Sequence, residues 1–327
     1  MRALQVTTLS EAFEGVEIVT APTPALKAGE SLVRVRAAAL GFPGLLMTRG
    51  AYQHRPDTPF IFGGDFAGEV VAAGEGADIA IGARVAGGAV TGSFAEYLAA
   101  PTQGLLPIPE RVSFTEAACF PSAYVTAHVS LVHAARIEAG EWVMVLGGAG
   151  GVGLAAVDLA RALGAKVIAG ASSEEKRAAL RAYAPDALVI DTAKPFKDVV
   201  REISGGGVNV VFDPVGGDVF AEAMSCLAFA GRMLVIGFAS GDIPTLSVNR
   251  ALIKHASVIG VRAGEFSRRF PEKRRETTRQ LMELWSRGVL RPRVDTTLPL
   301  EAWREGVERV TSRVCVGRVI LKPGLDQ

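Results

Sequence analysis

Between residues 118 and 262, short apolar runs alternate with longer stretches whose apolar positions recur at helical spacing. The runs at 142–146, 166–169, 187–190, 208–212 and 233–236 read as buried strands. Those at 154–163, 173–182, 197–203 and 219–227 read as helices. Strand and helix separated by short links predict parallel βαβ units, with helices on both faces of the sheet. Before residue 115 the texture is different: EIV, SLVRVRAAAL, GEVVAA and ARVAGG sit between glycine and proline turns and predict a small barrel or partly open sheet. After 262 come a charged helix (FPEKRRETTRQLMELWSRG), an extended PRVDTTLPL, a helix from Leu300 and a last strand, VGRVIL. A terminal strand needs a sheet to join, and the N-terminal one is a candidate. No repeat or low-complexity tract interrupts this organisation.

A chain of 327 residues, 49% apolar, exceeds one ordinary core and predicts two domains. The expected segments are 1–117, a domain of alternating strands and helices at 118–262, and a return leg at 263–327. The 35 basic residues nearly balance 34 acidic ones, so no broad field favours nucleic acid or an anionic membrane. Cys119, Cys226 and Cys315 are too sparse for a disulfide framework or zinc ribbon and fit a reducing cytoplasm. MRALQVTTLSEAFEG has no signal-peptide pattern. The longest uncharged stretch, 117–135, is broken by Pro121, Ser122, Thr126, His128, Ser130 and His133 and is not expected to span a bilayer.

Chemistry enters with VLGGAGGVGLA. Gly148, Gly150 and Gly153 spell G-x-G-x-x-G between a strand and a helix. Gly148 is expected to make the tight turn, Gly150 to admit a pyrophosphate, and Gly153 to pack helix on strand. Gly151 and Val152 lie among the N–H groups facing the anion. At the end of the next strand an NAD site usually carries Asp or Glu. Here Ala171, Ser172 and Ser173 stand there, followed by Lys176 and Arg177. Hydroxyls and cations suit a 2′-phosphate, so NADPH is the expected cofactor. Ser173 also qualifies as a helix cap.

Together PFIFGGDFAGEVVAAGEGA, GSFAEY, PSAYVTAHVSL, the glycine-rich segment with its flanks, NVVFDPVGG and VGRVIL resemble the medium-chain dehydrogenase/reductase superfamily, in its zinc-free quinone oxidoreductase (zeta-crystallin-like) branch. The resemblance implies an α/β fold: a doubly wound Rossmann sheet, a GroES-like β-barrel catalytic domain built from both chain ends, and a cleft between them. Zinc dehydrogenases of the superfamily place ligands where this chain has Gly41 and Gly64, neither of which can bind a metal. His54, His128, His133 and His255 show no ligand spacing. His128 and His133, five apart, would point apart on one α-helix.

Without a Lewis acid to stabilise an alkoxide, a conjugated acceptor is the better hydride partner, because its own π-system spreads the charge. The resemblance implies a role for Tyr52 beside the nicotinamide, and for Tyr124 and Thr126 at its carboxamide. It implies Gly237 and Phe238 at the nicotinamide end, and Arg318 beside the cofactor. Gly41 replaces an Asn that contacts a cofactor ribose, and Leu46 replaces a second tyrosine. Phe42, Leu45, Leu46, Met47, Phe60 and Phe62 are candidates to line an apolar slot with Tyr52, Phe42, Leu46 and Phe60 foremost. Asp213 reads as a turn former, and ISGGGVN as a loop lacking the Gly-Lys-Ser of a P-loop.

The leading expectation is therefore an NADPH-dependent reductase of a quinone or similar conjugated carbonyl. The alternatives are an enone or enoyl-thioester reductase, for which the basic helix 271–287 offers phosphate contacts, and an NADPH-binding structural or sensor protein. The resemblance implies a homodimer formed through an edge strand, for which RMLVIGFASGDIPTLSV is a candidate.

Overall fold

The computed structural model describes residues 1–324. The chain divides into two units: residues 1–122 with the C-terminal leg from Pro292, and Ala123–Arg291.

In the first unit the alternation of ESLVRVRAAA is realised in strand Glu30–Ala39, which buries Val33 and Val35 and exposes Arg34 and Arg36. It pairs antiparallel with Asp65–Ala73 and Tyr97–Pro101. The last strand, Arg318–Lys322, joins it with Ile320 opposite Ala39 and Leu321 opposite Ala38. The sheet of seven is completed by Val294–Pro299, Arg84–Gly88 and Leu106–Pro107. A second sheet orders Val16–Thr20, Arg2–Val6 and Phe60–Ile61. Leu300, Trp303, Val319 and Leu321 from the C-terminal leg share one core with Leu4, Val33, Phe66 and Phe94. The terminal strand is thus fixed by both hydrogen bonding and burial.

The second unit is a six-stranded sheet in the order Leu188–Asp191, Lys166–Ala171, Trp142–Val145, Val208–Asp213, Leu227–Val235, Ser257–Gly260. Every neighbouring pair is parallel. Numbered along the chain this is 3-2-1-4-5-6, so the strand order reverses between Trp142–Val145 and Val208–Asp213. Ligands of open α/β sheets bind at such a point, outside the carboxyl ends of the strands.

The second unit extends past residue 262, because the charged helix Pro271–Ser286 buries Thr277, Leu281 and Trp285 within it. Strand Leu227–Val235 is interior to the sheet, and its continuation from 236 to 248 forms no strand. The edges are Leu188–Asp191 and Ser257–Gly260 instead. Helix Pro121–His128 passes into a π-helix over Val129–Ala134. No described helix is long and apolar enough to cross a membrane.

Candidate cofactor and active site

The glycine-rich turn leaves strand Trp142–Val145 at the reversal point and enters helix Gly151–Ala162. The left-handed φ of 57° belongs to Gly147, not to Gly148 as the fingerprint suggests. Gly148 is buried and donates its N–H to the Gly170 carbonyl at 2.9 Å. Gly153 is required by packing, since a Cβ there would lie 2.2 Å from the Gly147 carbonyl oxygen. Gly150 differs from both: its φ is −75°, and an added Cβ would meet only the Gly147 oxygen at 3.5 Å. The fold does not need a glycine at 150. Gly150, Gly151 and Val152 are also partly open to solvent, where the free N–H groups of a helix start attract an anion.

One strand over, Lys166–Ala171 ends beside Ser172, which is exposed. Ser173 caps helix Glu174–Tyr183, accepting the Lys176 N–H at 3.4 Å. The guanidinium of Arg177 is committed to Asp191 at 2.8 Å, to Glu174, and to the Ala171 carbonyl at 3.2 Å. Of the two cations, Arg177 is therefore a strand-end brace, and Lys176 remains the candidate for a phosphate.

At the end of Val208–Asp213, the Asp213 carboxylate accepts the N–H groups of Val215 and Gly216 at 2.8 and 2.9 Å. It is a turn former, as its sequence context indicates; burial pushes its pKa up against those two bonds. The turn is laced to the next loop by Ala239 N–H to the Pro214 carbonyl and Ser240 N–H to the Val215 carbonyl. That lacing sets Gly237 and Phe238 at the carboxyl end of Leu227–Val235. Gly237 repeats the property of Gly150: its nearest would-be Cβ contact is the Pro214 oxygen at 3.6 Å.

The Tyr124 side chain is 2% exposed and its hydroxyl donates to Asp158 at 2.8 Å, so that hydroxyl is engaged inside the unit. Burial, with Tyr183 and Asp158 nearby, pushes its pKa well up. Asp158 also accepts the backbone N–H of Arg291 at 2.6 Å. Thr126, one helical step on, is half-buried with its carbonyl bonded by Ser130 Oγ.

In the first unit Arg318 donates from Nη1 to Asp65 at 2.7 Å and to Ser122 Oγ at 3.2 Å. Ser122 returns hydrogen bonds from its hydroxyl and N–H to the same carboxylate. A Cβ on residue 41 would stand 3.1 Å from Arg318 Nη2, so Gly41 makes room for that guanidinium. Cys119 lies close by, its pKa pushed up to about 12 by burial against the lowering effect of Arg318, which leaves it a neutral thiol. Tyr52 is half-exposed, and its hydroxyl makes no hydrogen bond among the described residues. Phe42 is 37% exposed and Leu46 partly so, but Phe60 at 8% belongs to the core with Leu45 and Phe62.

His128 and His133 do not point apart. In the π-helix the wider turn brings positions five apart together, and the rings are 5.3 Å apart. Only a hydrogen-bond pattern absent from ordinary helices produces this, and no sequence signal marked it. Among the described residues no three His, Cys, Asp or Glu side chains gather as a metal site would require.

Residues 27–110 match the family model described as alcohol dehydrogenase GroES-like domain, and 151–285 the one described as zinc-binding dehydrogenase. A quinone oxidoreductase-like protein 2 homolog of Nematostella vectensis is 36% identical over 300 residues, spanning 90% of this chain and 82% of its own. The chain belongs to the medium-chain dehydrogenase/reductase superfamily, in its zinc-free quinone oxidoreductase branch. A probable oxidoreductase from Mycobacterium abscessus has TM-score 0.88 at 34% identity, covering 99% of each chain. The quinone oxidoreductase of Thermus thermophilus, solved also with NADPH, has TM-score 0.86 at 31% identity, covering 98% of this chain and 100% of its own. The two units are thus a GroES-like domain and a Rossmann domain of an oxidoreductase family.

Proposed function

We propose that the protein is a zinc-independent, NADPH-dependent reductase of a quinone or similar conjugated carbonyl. The observation that carries this reading is the pair Gly150 and Gly237, bare at the carboxyl edge of the sheet although the fold leaves room for a side chain at each. Glycine without a structural need marks where something else approaches the backbone. Lys176, with Ser172 and Ser173, suits the 2′-phosphate, and the Thermus relative's NADPH complex supports the same cofactor.

Bound NADPH supplies the hydride. Gly41 and Gly64 offer no ligand for a Lewis acid, so the acceptor must delocalise its own charge. Phe42 and Leu46 provide apolar surface for it, and the Tyr52 hydroxyl is free to donate to its oxygen. The proton that completes the reduced product comes from that hydroxyl or from water. The rival reading is an enoyl-thioester reductase. Along the basic helix Lys273, Arg275, Arg279 and Arg287 are each paired with Glu276, Glu272 or Glu283, whereas Arg274 is exposed and forms no ion pair among the described residues.

The test is steady-state NADPH oxidation with an ortho-quinone beside crotonyl-CoA. Turnover of the quinone is expected; turnover of the thioester alone rejects the proposal, and tight NADPH binding without oxidation of either assigns a sensing or structural role. A homodimer and a cytoplasmic location are part of the same proposal. The open edge Ser257–Gly260 adjoins helix Asn249–Lys254, whose Leu252 and Ile253 are 81% and 73% exposed. All three cysteines are free. Leu252→Glu with Ile253→Glu is expected to give a monomer by sedimentation velocity.

A further inference from the structure

The histidine pair created by the π-helix has no part in the reading above, yet its side-chain hydrogen bonds join two helices of the second unit. His128 Nε2 lies 2.8 Å from the Gln280 side-chain oxygen, so it carries a proton and donates. His128 Nδ1 lies 3.1 Å from Thr277 Oγ1, and His133 Nε2 lies 3.0 Å from the same oxygen. With both rings neutral the directions close: His133 Nε2–H donates to the Thr277 hydroxyl, which donates to His128 Nδ1, and His128 Nε2–H donates to Gln280. A second proton on His128 reverses one link. Two N–H groups then converge on the Thr277 oxygen unless His133 moves its own proton from Nε2 to Nδ1, and in either case the neutral arrangement is broken.

The charged and aromatic surroundings pull in both directions. Phe266, from helix Ala263–Arg269, stacks on His133 with centroids 5.2 Å apart. Lys273 adds positive charge. Glu276 is the one carboxylate acting on both rings, and it is held by Lys273 at 3.0 Å and Gln280 Nε2 at 3.4 Å. We infer that the His128–Thr277–His133 chain is a pH-sensitive latch, fastening helix Pro271–Ser286 to the helix that carries the histidines at neutral pH and loosening it in mild acid. Burial lowers both pKa values, with Gln280 and Glu276 opposing it at His128 and Glu276 at His133. Because the folded values lie below the unfolded one, the latch contributes its full stability above pH ~6.5 and loses it as pH falls through the folded values.

Hydrogen–deuterium exchange on the full chain at pH 7.5 and 5.5, corrected for intrinsic rate, reads this directly. Protection of 271–286 and 126–134 is expected to fall, by at most about tenfold per histidine, because pH 5.5 lies about one unit below the ordinary histidine value. Strands Lys166–Ala171 and Val208–Asp213 keep theirs. Unchanged protection, or a uniform loss across the chain, overturns the latch. His133→Asn keeps a neutral amide and should shrink the pH effect; the same fall in the variant counts against it. Should that variant not fold, NMR titration of the wild-type imidazoles decides: midpoints below the ordinary histidine range support the latch, and midpoints at or above it refute it.

Discussion

Arg318 Nη1 and Asp65 Oδ2 are 2.7 Å apart, with side chains only 10% and 5% exposed, in a pair that ties the last strand to strand Asp65–Ala73. Asp65→Asn strips the guanidinium of its counter-charge and leaves it in a largely closed setting. A loss of about 3 kcal/mol is expected from urea unfolding, as for other broken buried pairs. Ser122→Ala, which keeps the carboxylate, should cost about 1 kcal/mol.

Gly150 and Gly153 belong to one fingerprint but are expected to fail differently. Gly153→Ala drives a methyl into the Gly147 carbonyl and should lower stability by about 3 kcal/mol or more. Gly150→Ala should leave the melting curve within about 1 °C while weakening NADPH by about tenfold, or ~1.4 kcal/mol. Equal melting losses for both would remove the argument that Gly150 is kept for a ligand.

Lys176 and Arg177 separate in the same manner. Lys176→Ala is expected to weaken NADPH about tenfold, through loss of a charge-assisted contact, with NADH nearly unchanged. Arg177→Ala breaks the brace to Asp191 and Glu174 and should weaken both cofactors alike. Fluorescence titration with each cofactor checks the contrast.

Tyr52→Phe tests the proton. A reduced quinone can be protonated by water, so its turnover should change by less than about threefold; an enone, needing a placed acid, should slow about tenfold or more. The comparison requires only that the variant melts with the parent, as a half-exposed hydroxyl without a partner implies.

The Rossmann half was legible because its strands are continuous apolar runs and its fingerprint couples turn, strand and helix in one segment. The first unit was less so. Phe60–Ile61 and Leu106–Pro107 are two-residue strands with no period to detect, and Phe60 shows the inward packing that tertiary context alone assigns. The bond from Tyr124 to Asp158 was hidden for a related reason: the two lie in different helices, and no spacing links them. Gly147 was hidden by its neighbours, since any of several adjacent glycines satisfies the same motif while only one takes the left-handed bend. The histidine pair was invisible because helical periodicity assumes uniform winding.

The Asp158 carboxylate holds Tyr124, just after the chain enters the second unit, and the Arg291 N–H, at the residue where it leaves. Entrance and exit are thus tethered to a single side chain that the unit itself supplies. A fragment excised at those two points would keep its severed ends side by side, the property that lets a cassette be spliced into the middle of a foreign host without pulling the host apart.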